Sequence, residues 1–392
     1  MTAGLEQLQR IQKQAFTVGL IGLTVSAIGA FLSPQQFFHS YLFAYVFWIG
    51  IALGSLAILM LHHLSGGAWG LVIRRLLESA AQTLPLMAIL FLPLLLGLRS
   101  LYIWARPEVV AVDEALQYKS TYLNVAFFLA RTVFYFAVWI VAAHLLNKWS
   151  LAQDNSDSEK AHTIAIRSQR LSGPGLLLYV LTMTFASVDW VMSLDPHWLS
   201  TIFGILIIGG QVLGAFSFII VVTALLVKYQ PFSQVIAAAH LHDLGKLLLA
   251  FVMLWAYFAL SQFLIIWSGN LPEETPWYVH RLHGGWQWIG LTVVVLHFAL
   301  PFFLLLPKDV KRNARRLAAV AGLVVFMRMI DLFWMVAPEF NQQGFHLHWL
   351  DLAIPIGLGG IWLAAFIWRL RTRPLLPTKD PYWQEALEHG HH

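Results

Sequence analysis

Ionisable side chains occur inside apolar stretches of the chain that are long enough to cross a membrane. Arg131 lies about nine residues into one such stretch, Asp189 lies near the end of the next, and His297 is central in a later one. Arg328 and Asp331 are three residues apart, which places them on one face of a helix. Because a charge inside a bilayer is expensive, each of these residues is by default a functional hypothesis that needs a partner.

These residue types can hold and relay protons. A carboxylate beside an arginine can keep a defined charge state, and a histidine can exchange a proton near neutral pH. The sequence therefore predicts a polar proton route, with Asp195 and His197 at its outer mouth and the following residues along it: Asp189, Arg131, Arg328, Asp331 and His297. The alternative is that the charged residues form buried ion pairs that only hold helices together.

Composition places the chain in a membrane. Of its 392 residues 58% are hydrophobic and only 11% are charged, and the mean hydropathy is +0.67. So few charges cannot cover the surface of a soluble protein of this length. The absence of cysteine excludes cysteine-ligated iron–sulfur clusters, c-type haem, cysteine zinc sites and disulfides. Because His297 is the only deep histidine, a haem held by two histidines is not expected.

The fold class predicted is an all-α polytopic membrane protein with ten transmembrane helices. About 20 apolar residues are needed to cross the hydrocarbon of a bilayer. Ten stretches meet that requirement: 14–32, 41–62, 80–99, 122–146, 174–192, 199–227, 247–268, 285–306, 316–337 and 350–369. The region 1–370 then forms a single integral membrane domain, and 371–392 is a C-terminal tail. The polar segment 147–173 between the fourth and fifth stretches is predicted to be a mobile loop.

The connections between these stretches alternate in basic content. One side, which holds both termini, carries 19 of the 25 Lys and Arg residues. By the positive-inside rule that side is cytoplasmic, so the pI near 9.4 reflects topology and does not indicate a nucleic-acid partner. The ionisable residues inside the spans then lie in the middle and outer half of the bilayer. Little ionisable material is expected in the inner half.

Other polar residues have two interpretations each. Gln211 and Gln262 lie within spans and are expected to make hydrogen bonds between helices. The pair His62-His63, and His240 with His242, lie at the cytoplasmic boundary. They either line a proton entry or are interface residues without a buried partner.

Several long strings resemble a known family. They are HHLSGGAWG at 62–70, ASVDWVMSLDPHW at 186–198, HDLGK at 242–246, YFALSQF at 257–263 and PEETPWY at 272–278. Together they resemble the ActF-like integral membrane subunits of bacterial alternative complex III, which belong to the polysulfide-reductase-like, NrfD-like family. The resemblance runs from about residue 10 to 370, with a matching number of spans.

The resemblance implies an architecture and a role. Spans 2–5 (about 41–192) and spans 6–9 (about 199–337) would form two four-helix bundles, with spans 1 and 10 peripheral. The family's complex oxidises quinol and reduces cytochrome c or another periplasmic acceptor in the bacterial inner membrane. The expected partners are a multihaem cytochrome c, an iron–sulfur subunit and a second polysulfide-reductase-like membrane subunit. Haem and iron–sulfur clusters belong to those partners, and a quinone or menaquinone is the one cofactor left open for this chain.

Two other functions also fit the sequence. A stand-alone proton-coupled transporter would have a similar outward polar cavity, and Gly209-Gly210 is the one good candidate for the broken helix that such transporters often contain. A structural scaffold subunit would pair its buried charges with one another. Whether the chain takes part in catalysis is therefore left open.

Overall fold

The computed structural model describes the backbone of residues 2–389 and the side chains of residues 6–388. The chain is 81% helical, without a strand in this region, and ten helical segments are long and apolar enough to cross a membrane. Their bounds are Glu6–Leu32, Pro34–Ser65, Arg74–Leu96, Val125–Asp154, Ser158–Leu194, Phe203–Leu226, Ala238–Gly269, Trp286–Leu305, Ala314–Phe340 and Leu350–Arg371. We number them spans 1 to 10. The predicted all-α, ten-span fold is confirmed.

Several spans are not single regular helices. Span 1 belongs to the helix Thr2–Leu32, and span 3 consists of Arg74–Ala81, Leu84–Leu90 and Leu92–Leu96. The second and third of these pieces each carry a proline in the first turn, where its missing N–H is tolerated. Span 5 ends in the 3-10 turn Met192–Leu194, and span 8 joins Trp286–Val293, a π-helical turn Val294–Ala299 and Leu300–Leu305.

The prediction of a mobile loop at 147–173 is wrong. The helix Val125–Asp154 continues through its first third, and the helix Ser158–Trp190 fills the remainder, so only 155–157 connect them. Asp157 caps the second helix by accepting a hydrogen bond from the backbone N–H of Lys160 at 2.9 Å. At 33 residues this helix is about 50 Å long, well beyond the ~30 Å of hydrocarbon. Hydropathy marks where a helix leaves the apolar layer, not where it ends.

Span 2 is the centre of the packing. In its apolar membrane-spanning stretch, 94% of the residues are buried, because this helix contacts spans 3, 5, 6, 9 and 10. Spans 2–5 pack with one another and spans 6–9 pack with one another, and spans 2 and 6 meet along their length. Span 1 is largely exposed and packs on span 10 at two glycine pairs, Gly19 with Gly360 and Gly22 with Gly357. A Cβ on any of these glycines would lie within 3 Å of the facing backbone.

Short helices lie between the spans and, in one case, after span 10. They are Ala68–Leu71, Leu98–Leu101, Ile103–Ala105, Pro107–Val110, Glu114–Lys119, Phe232–Val235, Pro276–Arg281, Lys308–Arg312 and Trp383–His389. Both chain ends lie at the same end of the bundle, where Arg371 donates to Gln12 at 2.7 Å. We call this the termini end and the opposite one the far end.

The C-terminal region does not hang free. Beyond span 10 the chain folds back over the termini end, burying Leu376 and Ala386. His240 lies at the start of span 7, and its Nε2 is 2.9 Å from the backbone carbonyl oxygen of Ala386. We call residues 372–389 the C-terminal strap. Residues 390–392, which include His391 and His392, lie outside the described part.

Candidate functional site

The first predicted pair, Arg131 and Asp189, joins spans 4 and 5. Arg131 Nη2 and Nε donate to the two carboxylate oxygens of Asp189 at 2.8 and 2.9 Å. The hydroxyl of Tyr135 donates to the same carboxylate at 2.9 Å. Arg131 Nη1 donates to the backbone carbonyl of Tyr122 at 3.0 Å, and its guanidinium lies 3.9 Å from the Tyr122 ring centroid. Every polar atom of this fully buried Asp189 carboxylate is therefore satisfied.

Such saturation suits a structural pair. Fork-to-fork pairs of arginine and carboxylate fix two helices in both distance and orientation. Both Asp189 oxygens and all three Arg131 nitrogens make hydrogen bonds, although the nearby Tyr122 hydroxyl has no partner among the described residues. The geometry therefore favours an interhelical lock for Arg131 and Asp189.

The second pair, Arg328 and Asp331, is different. Both residues lie on span 9 and form an ion pair across one helical turn, buried from solvent. Arg328 Nη1 donates to Asp331 Oδ2, but Arg328 Nη2 has no hydrogen-bond partner in the described part of the chain. An unpaired donor on a buried guanidinium is costly unless water or a ligand completes it.

A small cavity opens beside this guanidinium. Its volume is about 10 Å³, close to the minimum for one water molecule. It lies between spans 2, 6 and 9. Gly210 brings the backbone of span 6 so close that a Cβ there would collide with the guanidinium carbon of Arg328. The lining residues are Val46, Phe47, Gly50, Ile51, Gly210, Gln211, Gly214, Arg328 and Leu332.

His297 lies on the neighbouring span 8, within the π-helical turn. It is fully buried, and neither ring nitrogen has a hydrogen-bond partner among the described residues. Its ring contacts Trp255 of span 7 edge to face, with 4.4 Å between the centroids. The indole N–H of Trp255 faces the Asp331 carboxylate without a hydrogen bond of good geometry. π-helical turns are often found at functional sites.

Trp255, His297, Arg328 and Asp331 thus form one group, which we call the span 7–9 cluster. It contains four buried polar atoms without a partner: Trp255 Nε1, His297 Nδ1, His297 Nε2 and Arg328 Nη2. Buried waters typically occupy such positions, since each makes about three hydrogen bonds. The sequence did not single out Trp255, because a tryptophan in an apolar helix gives no distinctive signal.

The two predicted mouth residues lie together at the far end. His197 Nε2 is 2.8 Å from Asp113 Oδ2, and the backbone N–H of His197 donates to Asp195 Oδ1 at 3.1 Å. Within residues 6–388, no hydrogen bond or ion pair joins these residues, the Arg131–Asp189 pair and the span 7–9 cluster to one another. The seven predicted route residues therefore fall into three groups, and a route through all of them stays a prediction.

The two glutamines make the expected polar contacts, Gln211 with a neighbouring span and Gln262 with a short connecting helix and the loop before span 6. Gln211 accepts a hydrogen bond from the hydroxyl of Tyr179 on span 5 at 2.9 Å, as predicted. Gln262 instead bonds to residues of the far-end connections, Ser200 at 3.3 Å and Tyr278 at 3.4 Å. Its role is to hold those connections against span 7.

A buried ionic network that the sequence did not predict lies at the termini end. Glu78 is fully buried there and accepts hydrogen bonds from Arg74 at 2.9 Å, Arg75 at 2.8 Å and Ser150 at 2.6 Å. The network extends to three residues of more distant segments: Asp154, Arg373 and Asp380. Span 3 was predicted to begin at 80, so its arginines were placed in a loop. The spacing of Arg74 and Glu78, four apart as on a helix face, was the available signal.

The boundary histidines also have buried surroundings. His62 is buried against the backbone of Gly70, and its Nδ1 has no partner among the described residues. His240 is fully buried and contacts the C-terminal strap. A proton entry at these residues stays a prediction.

No family model and no curated protein matches this chain. Within the residues described, no group of three or more His, Asp or Glu side chains could hold a metal ion. The span 7–9 cluster contains one buried ion pair and one buried histidine, and the adjacent cavity is large enough for one water molecule.

Proposed function

We propose that the chain is an ActF-like membrane subunit of a bacterial alternative complex III, and that its span 7–9 cluster moves protons during quinol oxidation. The family assignment rests on the resemblance of segments 62–70, 186–198, 242–246, 257–263 and 272–278. The partners would be a multihaem cytochrome c, an iron–sulfur subunit and a second polysulfide-reductase-like membrane subunit. Those subunits would carry the redox centres.

The location follows from the same proposal. The resemblance implies the bacterial inner membrane, and the 19 basic residues on the side of both termini favour a cytoplasmic position for that side. The termini end is then cytoplasmic and the far end periplasmic.

The observation that carries the proton-transfer proposal is the set of four unpartnered polar atoms around one buried ion pair. Arg328 supplies a fixed positive charge that favours the ionised form of Asp331. His297 can both accept and donate a proton, since one ring nitrogen of the neutral form is a donor and the other an acceptor. Water in the cavity beside Arg328 would extend this chain toward span 6.

A quinone site within the cluster is less well supported. A cavity of about 10 Å³ has room for a water, whereas pockets for small organic ligands measure hundreds of Å³. If this subunit binds quinone, we expect the ring to lie elsewhere on its surface.

The test compares Asp331→Asn with Asp189→Asn in the purified complex reconstituted into vesicles. Asp331→Asn removes the counter-charge of buried Arg328, so its yield should fall as well, but we expect each assembled Asp331→Asn complex to lose most of its turnover or proton coupling. Asp189→Asn should lower the yield of complex, while each assembled complex keeps its activity. Unchanged turnover and coupling in Asp331→Asn would refute proton transfer through the cluster.

The two rival functions are separated by purification. A stand-alone transporter should be extracted in mild detergent as a single colourless protein. An ActF-like subunit should bring c-type haem and an iron–sulfur protein with it, visible by absorption and mass spectrometry. A scaffold subunit would also purify with partners, but Asp331→Asn would then reduce assembly only.

A further inference from the structure

A group of cations lies where spans 7, 8 and 9 meet at the termini end. Lys246 lies near the start of span 7, and the short helix Lys308–Arg312 connects spans 8 and 9. We call the following residues the basic corner: Lys246, Lys308, Lys311, Arg312, Arg315 and Arg316. The positive-inside rule accounts for cations on this side of the membrane. It does not explain why one of these cations is buried next to other cations.

Lys311 is the buried member, with 6% of its surface exposed. Its aliphatic stem lies across Gly245, where an added Cβ would be 2.6 Å from Lys311 Cγ. Its ammonium makes one hydrogen bond in the described region, to the backbone carbonyl of Leu306 at 3.2 Å. Burial, and then the charges of Lys246 and Lys308, lower the pKa of Lys311. A lysine held in this way has donors to spare and lacks a counter-charge.

Carboxylates do not balance this corner. Lys246 pairs with Asp243 at 3.0 Å, and Asp309 is exposed on the connecting helix. Lys308, Lys311, Arg312, Arg315 and Arg316 form no ion pair with any carboxylate of residues 6–388. His242 adds a buried Nδ1 without a hydrogen-bond partner at the same place. The corner therefore has an excess of positive charge and unused donors.

An apolar surface continues from the corner into the membrane layer. On span 7, Met253, Leu254 and Tyr257 follow Lys246 at helical spacing, and all three are exposed. On span 8, Phe303 and Leu304 are exposed a few residues before the connecting helix. A molecule with an anionic head at the corner could thus lay an apolar tail along two helices.

We propose that the basic corner binds a phosphate group, and that the group belongs to an anionic phospholipid whose acyl chains lie on the exposed faces of spans 7 and 8. Basic pockets between transmembrane helices at the cytoplasmic boundary are suited to anionic lipid headgroups. Free inorganic phosphate has the same head chemistry but would gain nothing from the apolar surface. The apolar surface favours the lipid.

The test is native mass spectrometry of the purified protein in mixed micelles containing phosphatidylglycerol or phosphatidylcholine. We expect wild-type protein to retain phosphatidylglycerol and to release phosphatidylcholine. The variant Lys311→Gln/Arg312→Gln should bind phosphatidylglycerol roughly tenfold or more weakly, because each cation lost near the phosphate weakens its attraction. Lys148→Gln/Lys228→Gln is the matched control, since both lysines are exposed on the same side without an ion pair. The control should retain phosphatidylglycerol as the wild type does.

A parallel titration with inorganic phosphate distinguishes the two sources. Thermal stabilisation by millimolar phosphate, lost in Lys311→Gln/Arg312→Gln and without lipid retention, would support the anion site and assign it to free phosphate. Equal phosphatidylglycerol retention by the wild type and by folded Lys311→Gln/Arg312→Gln would overturn the proposal. Folding of each variant is checked by its elution from a size-exclusion column, and if the double variant fails that check, Arg312→Gln alone, at an exposed residue, should still bind phosphatidylglycerol more weakly than the wild type.

Discussion

His297 is buried against Trp255, with 4.4 Å between the ring centroids, and neither of its ring nitrogens is hydrogen-bonded within the described chain. A histidine kept only for packing would be better replaced by an apolar ring, because unsatisfied polar atoms in a protein interior cost free energy. Replacing His297 with an apolar ring therefore distinguishes a structural role from a functional one.

Replacing His297 with phenylalanine should leave the protein folded and at least as stable. The new ring occupies a similar space and removes two unpartnered polar atoms, so we expect a change in unfolding free energy within about 1 kcal/mol. Proton-coupled turnover of the assembled complex should fall strongly. Thermal unfolding and turnover are measured on the same preparation. His240→Phe is the control, since it removes a contact to the C-terminal strap and should be destabilising. Full turnover in His297→Phe would exclude a proton role for this residue.

Gly210→Ala should disturb the ion pair on span 9. The added methyl would collide with the guanidinium of Arg328, so either the arginine or span 6 must move. We expect a loss of about 1–3 kcal/mol in stability and a fall in turnover. Gly322→Ala on span 9 is the matched control, because its nearest neighbour would be 3.9 Å away, at Val221. Similar melting temperatures for the two variants would contradict the close packing of Gly210 on Arg328.

Asp189→Asn should destabilise the packing of span 4 on span 5. It leaves the buried charge of Arg131 without its partner, which typically costs about 3–5 kcal/mol. The double variant Asp189→Leu/Arg131→Met removes both charges, so we expect it to be more stable than Asp189→Asn. Melting temperatures in detergent test this order. If the double variant were less stable than Asp189→Asn, the cost of leaving Arg131 unpaired would not explain the loss of stability.

Asp380→Asn should loosen the C-terminal strap. Asp380 pairs with Arg74 of the buried network, and its loss leaves that arginine with fewer acceptors. We expect faster tryptic cleavage after Arg371, where the cleavage site itself is unchanged in every variant, monitored by mass spectrometry of the released peptide. Glu385→Gln, an exposed change on the same segment, should cleave at the wild-type rate. Equal rates for the three proteins would show that the strap is held by other contacts.

The local structure of the connection between spans 3 and 4 should become less stable at acid pH. The backbone N–H of Leu116 and the imidazole of His197 both bond to Asp113 and lower the pKa of its carboxyl below the usual 3.8. A lowered pKa means that the stabilisation is present above about pH 4 and is lost as pH falls through the lower value. Hydrogen exchange of peptide 107–122, corrected for intrinsic rates, should therefore rise below pH 4. Asp113→Asn should lack that rise, and a rise of equal size in Asp113→Asn would assign it to another group.

Local properties of the sequence were enough to predict the spans. Apolar length and the alternation of basic connections are read from neighbouring residues, and all ten spans appear in the structure. The ion pair of Arg328 with Asp331 was also predictable as a shared face, because the two residues are one helical turn apart. The helical ends around 147–173 were not, because polar residues continue a helix outside the membrane without any change in hydropathy.

Tertiary structure alone decided which polar residues meet and which remain unsatisfied. Arg131 and Asp189 are 58 positions apart, and Arg74 and Asp380 are 306 apart, so no spacing rule could pair them. All three nitrogens of Arg131 donate hydrogen bonds, whereas Arg328 Nη2 has no partner among the described residues, and this difference depends on which helices surround each arginine. Whether a buried polar atom has a partner is a property of packing in three dimensions, and a single sequence specifies only which polar atoms need one.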